Sequence, residues 1–156
     1  MANTLRARAL AMLARREMSR AELRKKLEPI AASLDQSSAD LDALLDSLIQ
    51  TNFQSDKRYT EALVHHRARR FGAARIAQEL REKGVSDELT DGAVRELRES
   101  EEARALDVWR RKFSALGETA EERAKQGRFL LSRGFSTAVV RRVIGGKAAD
   151  EMEGGE

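Results

Sequence analysis

Between Phe53 and Ser86 the apolar positions step by three and four. Tyr59, Ala62, Leu63 and His66 fall on one side of a first predicted helix. Arg67, Arg69 and Arg70 gather in its last turns, where cations meet the partial negative charge of a helix C-terminus. Gly72 then breaks the run. A second period, at Ile76 and Leu80, ends at Lys83-Gly84-Val85, where glycine can take the left-handed conformation that closes a helix. Ser86 is placed to cap a third helix, with Asp87 and Glu88 favouring its N-terminal dipole. The pattern therefore predicts two helices, a glycine turn and a capped third helix.

The same pattern recurs on either side. Ala9-Leu10, Leu13 and Arg15-Arg16 correspond to Ala62-Leu63, His66 and Arg69-Arg70, and again to Ala105-Leu106, Trp109 and Arg111-Lys112. The second helices align through Ala21 to Leu27 and Ala74 to Leu80, while Lys83-Gly84-Val85-Ser86 matches Arg133-Gly134-Phe135-Ser136. These correspondences predict tandem three-helix units near 4–51, 56–98 and 102–145. In the first unit Glu28-Pro29 and the polar loop SLDQSSAD stand in place of the glycine turn, before a helix expected to start near Asp40. Thr119 to Glu122 and Ser19 to Glu22 both have the spacing of a capping box. Strand-like alternation is absent, so the expected class is all-α. Residues 146–156 are acidic and glycine-containing, with little to bury, and are expected to be disordered.

Composition narrows this picture. Aromatic residues make up only 4% of the 156 positions while charged ones make up 35%, which suggests thin interfaces between helices rather than one thick core. There is no cysteine, so disulfides and thiolate metal sites are excluded and a reducing cytoplasm is the expected compartment. No apolar run is long enough to span a membrane. The arginine-rich amphipathic start can mimic an organelle transit peptide. Because its pattern recurs in mid-chain, it is read as the first helix of a folded repeat.

A net charge of +3 conceals alternating blocks. The first two helices of each unit are basic, whereas residues 27–56 hold neither lysine nor arginine and 84–103 hold seven acids against two bases. One reading is neighbouring helices that neutralise each other along a solvated surface. The other is a basic face of Arg15, Arg16, Arg67, Arg69, Arg70, Arg75, Arg110, Arg111 and Lys112, able to follow an acidic protein groove or a phosphate backbone. The prevalence of arginine suits forked contacts to carboxylates or phosphates. His65 and His66 lack neighbours at metal-ligand spacing, and His66, aligned with Leu13 and Trp109, is expected to pack as a partly buried side chain. No phosphate-binding glycine loop or nucleophile-base set is present, so neither catalytic residues nor a metal or cofactor is expected. Trp109, Phe113, Phe129 and Phe135 read as the packing of the third unit, and Tyr59 and Phe71 as that of the second.

Leu48, Phe53, Asp56, Arg58 and Tyr59, followed by Ala62, Arg67, Gly72, Ile76, Leu80 and Lys83-Gly84-Val85, resemble the central signature of the RecX family of bacterial recombination regulators. Ala9-Leu10, Leu13, Arg16, Ser19, Glu22-Leu23 and Leu27 resemble its N-terminal motif, and Gly134-Phe135 its third repeat, so the resemblance covers about residues 5–145. It implies three tandem three-helix repeats in an elongated, curved array. It also implies a monomeric protein, without catalytic residues, that binds the groove of the RecA filament on single-stranded DNA and inhibits ATP hydrolysis, filament growth and strand exchange. The Glu28-Pro29 loop and the acidic tail depart from the family pattern. Two other readings stand beside this one. The first is a helix-turn-helix-like module that binds DNA without RecA; the acidic SDELTDGAVRELRES opposes it and the basic STAVVRRVIGG favours a weak direct contact. The second is a passive helical adaptor for another acidic partner.

Overall fold

The computed structural model describes residues 4–147, and among these the chain is all-α. Nine helices follow in order: α1 Leu5–Arg15, α2 Arg20–Ser33, α3 Ser38–Gln50, α4 Asp56–Arg67, α5 Ala73–Glu82, α6 Asp87–Glu99, α7 Glu101–Lys112, α8 Ala120–Ser132 and α9 Thr137–Arg142, continued by a π-helical turn Val143–Lys147. That turn takes in the first two residues of the tail expected to be disordered; the rest of the tail lies outside the described residues.

The helix starts follow from their caps. The side chains of Thr4, Ser19, Ser37, Thr119 and Ser136 each accept from the backbone N–H three residues on, satisfying a donor that the helix itself leaves free. Ser55 and Ser86 do the same for Arg58 and Leu89, at 3.1 and 3.2 Å. Thr119 and Glu122 form the full reciprocal capping box. At Ser19 only half of that box forms, because the Glu22 carboxylate turns instead to Arg16 and Lys83.

The turns between second and third helices share one geometry. Gly84 and Gly134 have φ of 75° and 91°. Gly84 N–H donates to Arg81 O and Val85 N–H to Leu80 O; Gly134 and Phe135 donate in the same way to Leu131 and Leu130. This is the Schellman closure, in which a left-handed residue ends the helix and the next folds back over it. The first triplet makes the same closure with Asp35, φ 55°, whose N–H reaches Ala32 O while Gln36 N–H reaches Ala31 O. Glu28-Pro29 is therefore not the turn: α2 runs through Pro29 and is one turn longer than α5. A helix-interior proline costs about 3 kcal/mol, which burial of Ala31 and packing of Ile30 on the core offset. Helix α3 accordingly begins at Ser38, earlier than the start expected near Asp40.

By their internal contacts the described residues divide into two compact units, one comprising those up to Ala62 with Leu80–Leu89, the other Leu63–Glu79 with those from Thr90. The first is built on Leu5, Ala9, Leu23, Leu27, Leu41, Leu45 and Leu48 of α1 to α3. The second is built on Ala105, Val108 and Trp109 of α7, Leu130 of α8, Phe135, Val139 and Val140 of α9, and Val143 of the π-helical turn. Helices α4, α5 and α6 contribute residues to both. Truncating a fully buried leucine in either core is expected to cost about 2–5 kcal/mol.

Candidate arginine-rich binding surface

Within the second unit, the segment from Ala68 to Gly72 follows α4 and leads into α5. Arg69 and Arg70 therefore lie past the end of α4 and not in its last turns as the pattern predicted. Four residues fix this segment by hydrogen bonds. The half-buried Arg104 of α7 donates to the carbonyls of Ala68, Phe71 and Leu97 at 3.0, 2.8 and 2.8 Å. Burial pushes the Arg104 pKa down, with the nearby Glu101 carboxylate acting against it. Glu101, itself 2% exposed, accepts from Ala73 N–H at 2.9 Å and so caps α5. Gly72 N–H donates to Arg133 O at 2.8 Å. The Gly72 backbone comes so close that an added Cβ would stand 2.3 Å from Gly134 O. Arg111 completes the clamp by donating to Arg69 O.

On this frame cations and rings alternate. The Arg75 guanidinium lies 4.4 Å from the Phe71 ring centroid, and Arg133 lies 5.5 Å from Phe71 and 5.0 Å from Phe129. Lys112 lies 5.5 Å from Phe129, and Phe113 meets Phe129 edge-on at 5.5 Å. The series Arg75, Phe71, Arg133, Phe129, Lys112 thus forms a ladder, each contact worth about 0.5–1 kcal/mol at an exposed site. Phe71 and Phe129 are half-buried; their expected packing role is accurate only in part, since each also supports cations. Trp109 and Phe135 are buried and serve the core as expected.

Two recesses open beside the ladder. One, of about 390 Å³, is lined by Ala68, Arg69, Arg104, Asp107, Arg110 and Arg111. The other, of about 270 Å³, is lined by Arg70, Val108, Arg111, Lys112, Phe129 and Arg133. Arg111 belongs to both. Among the described residues no carboxylate pairs with Arg69, Arg70, Arg75, Arg111, Lys112 or Arg133.

Other residues of the expected basic face are placed differently. Arg67 makes a forked pair with Glu79, both hydrogen bonds 3.0 Å, and Arg110 is 3.4 Å from Asp107. Arg15 and Arg16 belong to the first unit. Arg15 is exposed, whereas Arg16 donates from both terminal guanidinium nitrogens to Glu22 at 3.0 and 2.9 Å. Lys83 adds a third contact at 3.3 Å. Hydrogen bonding from Arg16, more than that from Lys83, holds the Glu22 carboxyl below its usual range despite burial, and the same bond raises the Arg16 pKa.

His66 is exposed, as is His65, so its expected packing role is incorrect. The cause is the length of α4: it stops one residue after His66, whereas α7 continues three residues past the buried Trp109. Among the described residues no three His, Cys, Asp or Glu side chains group as a metal site would require. Arg104 and Arg133 escaped the sequence reading. Arg133 stood visible only as part of the glycine turn, and its rings lie far away in sequence at Phe71 or four residues earlier at Phe129.

Comparison with known proteins agrees with this architecture. The family model described as RecX, second three-helix domain, matches residues 55–94, and that of the RecX third three-helix domain matches 99–144. The regulatory protein RecX of Ralstonia nicotianae is 47% identical over 153 residues, covering 98% of this chain and 94% of that protein. Regulatory protein RecX of Leptothrix cholodnii is 49% identical over 142 residues, covering 90% and 87%. The fold is similar to the crystal structure of RecX from Lactobacillus salivarius, with a TM-score of 0.75 at 22% identity, over 90% of this chain and 92% of that one. No helix among the described residues is long and apolar enough to cross a membrane. On the extent and identity of these matches, the chain belongs to the RecX family of regulatory proteins.

Proposed function

We propose that this protein is a negative regulator of RecA that acts by occupancy: it binds in the groove of the RecA filament on single-stranded DNA and inhibits ATP hydrolysis, filament growth and strand exchange. It does so as a cytoplasmic monomer without catalytic residues or cofactors, from three tandem repeats spanning about 4–51, 56–98 and 102–145. The observation that carries this reading is the set of cations in the second unit with no carboxylate partner, in a chain of the RecX family. Cations left unpaired on a rigid frame are available to a partner, and many weak contacts from one scaffold raise overall affinity. Where the filament exposes its DNA, the same cations touch phosphates weakly and without reading sequence.

The test is the DNA-dependent ATPase of RecA titrated with this protein. Inhibition is expected to saturate, and the combined Arg69→Glu and Arg70→Glu change is expected to raise the half-inhibiting concentration by about tenfold, equivalent to about 1.4 kcal/mol. An ATPase and strand-exchange activity unchanged at saturating protein would sink the reading. Tight duplex binding with sequence preference and no need for RecA would instead support a DNA-binding module.

A further inference from the structure

The two recesses sharing Arg111 differ from a nucleic-acid groove in ways that point to the chemistry of their occupant. Single-stranded nucleic acid is gripped by a basic track together with open aromatic faces on which bases stack. Here cations already lie over both Phe71 and Phe129, at 4.4 to 5.5 Å. The first recess also holds a carboxylate, Asp107, 64% exposed beside Arg110, which a continuous run of phosphates would have to pass. A polypeptide needs no open ring face for stacking, and its carboxylates need not form a continuous run past Asp107. Its carboxylates are separated by uncharged backbone, and its side-chain methylenes can rest on Ala68, Val108 and Phe129 of the recess walls. Guanidinium forks bind a carboxylate by two parallel hydrogen bonds. Arg111 is held for that task, since its guanidinium is anchored on the carbonyls of Arg69 and Asp107.

We propose that these recesses form a cleft for an acidic peptide segment of a partner protein, which lays one carboxylate side chain on each side of Arg111. The inference rests on the reading that this face meets the regulated partner, and it names the ligand chemistry of that face. Arg69 and Arg111 hold the first carboxylate; Arg70, Lys112 and Arg133 hold the second. The peptide backbone crosses over Arg111.

The experiment is fluorescence anisotropy of the full chain with a labelled oligoglutamate peptide and, separately, labelled oligothymidylate at matched salt. The peptide is expected to bind more tightly than the oligonucleotide. Arg111→Glu, which faces both recesses, is expected to weaken peptide binding at least about tenfold. Arg70→Glu and Lys112→Glu, both exposed and without a carboxylate partner, guard against misfolding of the Arg111 variant and are each expected to weaken it about threefold. Lys26→Glu, exposed in the first unit, is expected to leave it unchanged. Tighter binding of oligothymidylate, lost in the same variants, would overturn the proposal in favour of a phosphate surface. So would peptide binding that none of the three cleft variants alters. The RecA ATPase assay separates the two ideas: inhibition lost on Arg111→Glu in a protein that binds no peptide defeats the cleft and keeps the regulatory reading. Peptide binding with no effect on the ATPase does the reverse.

Discussion

The two compact units use the same residue type for different ends. In the first, four arginines are matched to carboxylates: Arg16 to Glu22, Arg58 to Glu17, Arg20 to Asp46, and Arg24 to Glu28 and Asp42, all at 2.8 to 3.1 Å, while Arg6 lies against the Phe53 ring and Arg15 is exposed. In the second, Arg67, Arg110 and Arg142 also meet carboxylates, but Arg75 and Arg133 lie against rings, Arg104 and Arg111 against backbone carbonyls, and Arg69 and Arg70 face solvent. The cause is local charge supply. Residues 27–56 place acids and no bases on α3, and Asp46 and Asp42 there pair with Arg20 and Arg24 of α2. The 104–142 stretch brings many cations to α7 and α8 with few acids among them. A neutralised arginine contributes little to a partner, because the existing pair must be broken first; an arginine held by rings and carbonyls keeps its charge available. On the proposed function, binding is therefore expected to fall mainly on the second unit, although arginine is abundant in both.

The most severe way to break this contrast is to disturb the frame of the second unit alone. Gly72→Ala places a Cβ 2.3 Å from Gly134 O and 2.5 Å from Phe135 N, all backbone atoms that cannot rotate aside. The expected loss is about 3 kcal/mol of unfolding free energy, read from urea denaturation followed by the fluorescence of Trp109, the one tryptophan of the chain and a core residue of the same unit. Gly92→Ala in α6 serves as the control. There an added Cβ would meet only the end of Arg95, at 3.9 Å, so alanine is expected to stabilise by about 0.5–1 kcal/mol through its helix propensity. Equal effects of the two substitutions would mean that the close approach of Gly72 to Gly134 does not govern the frame.

A smaller effect tests the neutralised cations of the first unit. The Glu22 side chain is 7% exposed and carries Arg16 and Lys83, so Glu22→Gln is expected to cost about 1–2 kcal/mol at neutral pH. The two cations are 49% and 39% exposed, which keeps the cost in that range. Because the folded-state carboxyl titrates below its unfolded value, its stabilisation is complete above the unfolded pKa, about 4.3. It is lost as pH falls through the depressed folded value. The difference between wild type and Glu22→Gln should therefore be constant from pH 6 to 8 and vanish in strong acid. A difference that grows as pH falls would contradict the pairing. RecA inhibition is expected to be unaffected, in contrast with changes at Arg70 or Arg111.

These features were unequally legible in the sequence. Short-range chemistry reads directly: the caps at Ser19, Ser86 and Thr119 and the left-handed turns at Gly84 and Gly134 each involve residues within one helical turn, and all were foreseen. Pairings across the fold were not. Arg67 with Glu79, Arg104 with the carbonyl of Phe71, and Arg133 with Phe71 depend on how helices come together, which no local period encodes. The sorting of cations into paired and available ones is a tertiary property for that reason, and the expected basic face mixed both kinds. Pro29 misled in the opposite direction: a strong local breaker was overridden by burial of the residues after it.

The smallest expected effect concerns the turn that the sequence hid. Asp35 takes the left-handed conformation that glycine holds at 84 and 134, and it is exposed. A non-glycine residue there carries a conformational cost, reduced for Asp by its short polar side chain. Asp35→Gly removes that cost but adds freedom to the unfolded chain, so a net gain of only about 0.5 kcal/mol is expected in thermal or urea unfolding. The reverse change at the matching turn should not mirror it. In Gly84→Asp the new Cβ would stand 2.6 Å from the Ala21 Cβ, within the same unit, in addition to a φ of 75°. Its expected cost is therefore about 2 kcal/mol, several times the gain at 35. If the two changes prove equal and opposite, backbone conformation alone sets these turns and the approach of α2 to Gly84 carries no weight. If Gly84→Asp costs clearly more, glycine is required in the middle triplet for space and is dispensable in the first, which explains how the first turn could lose its glycine and keep the same closure.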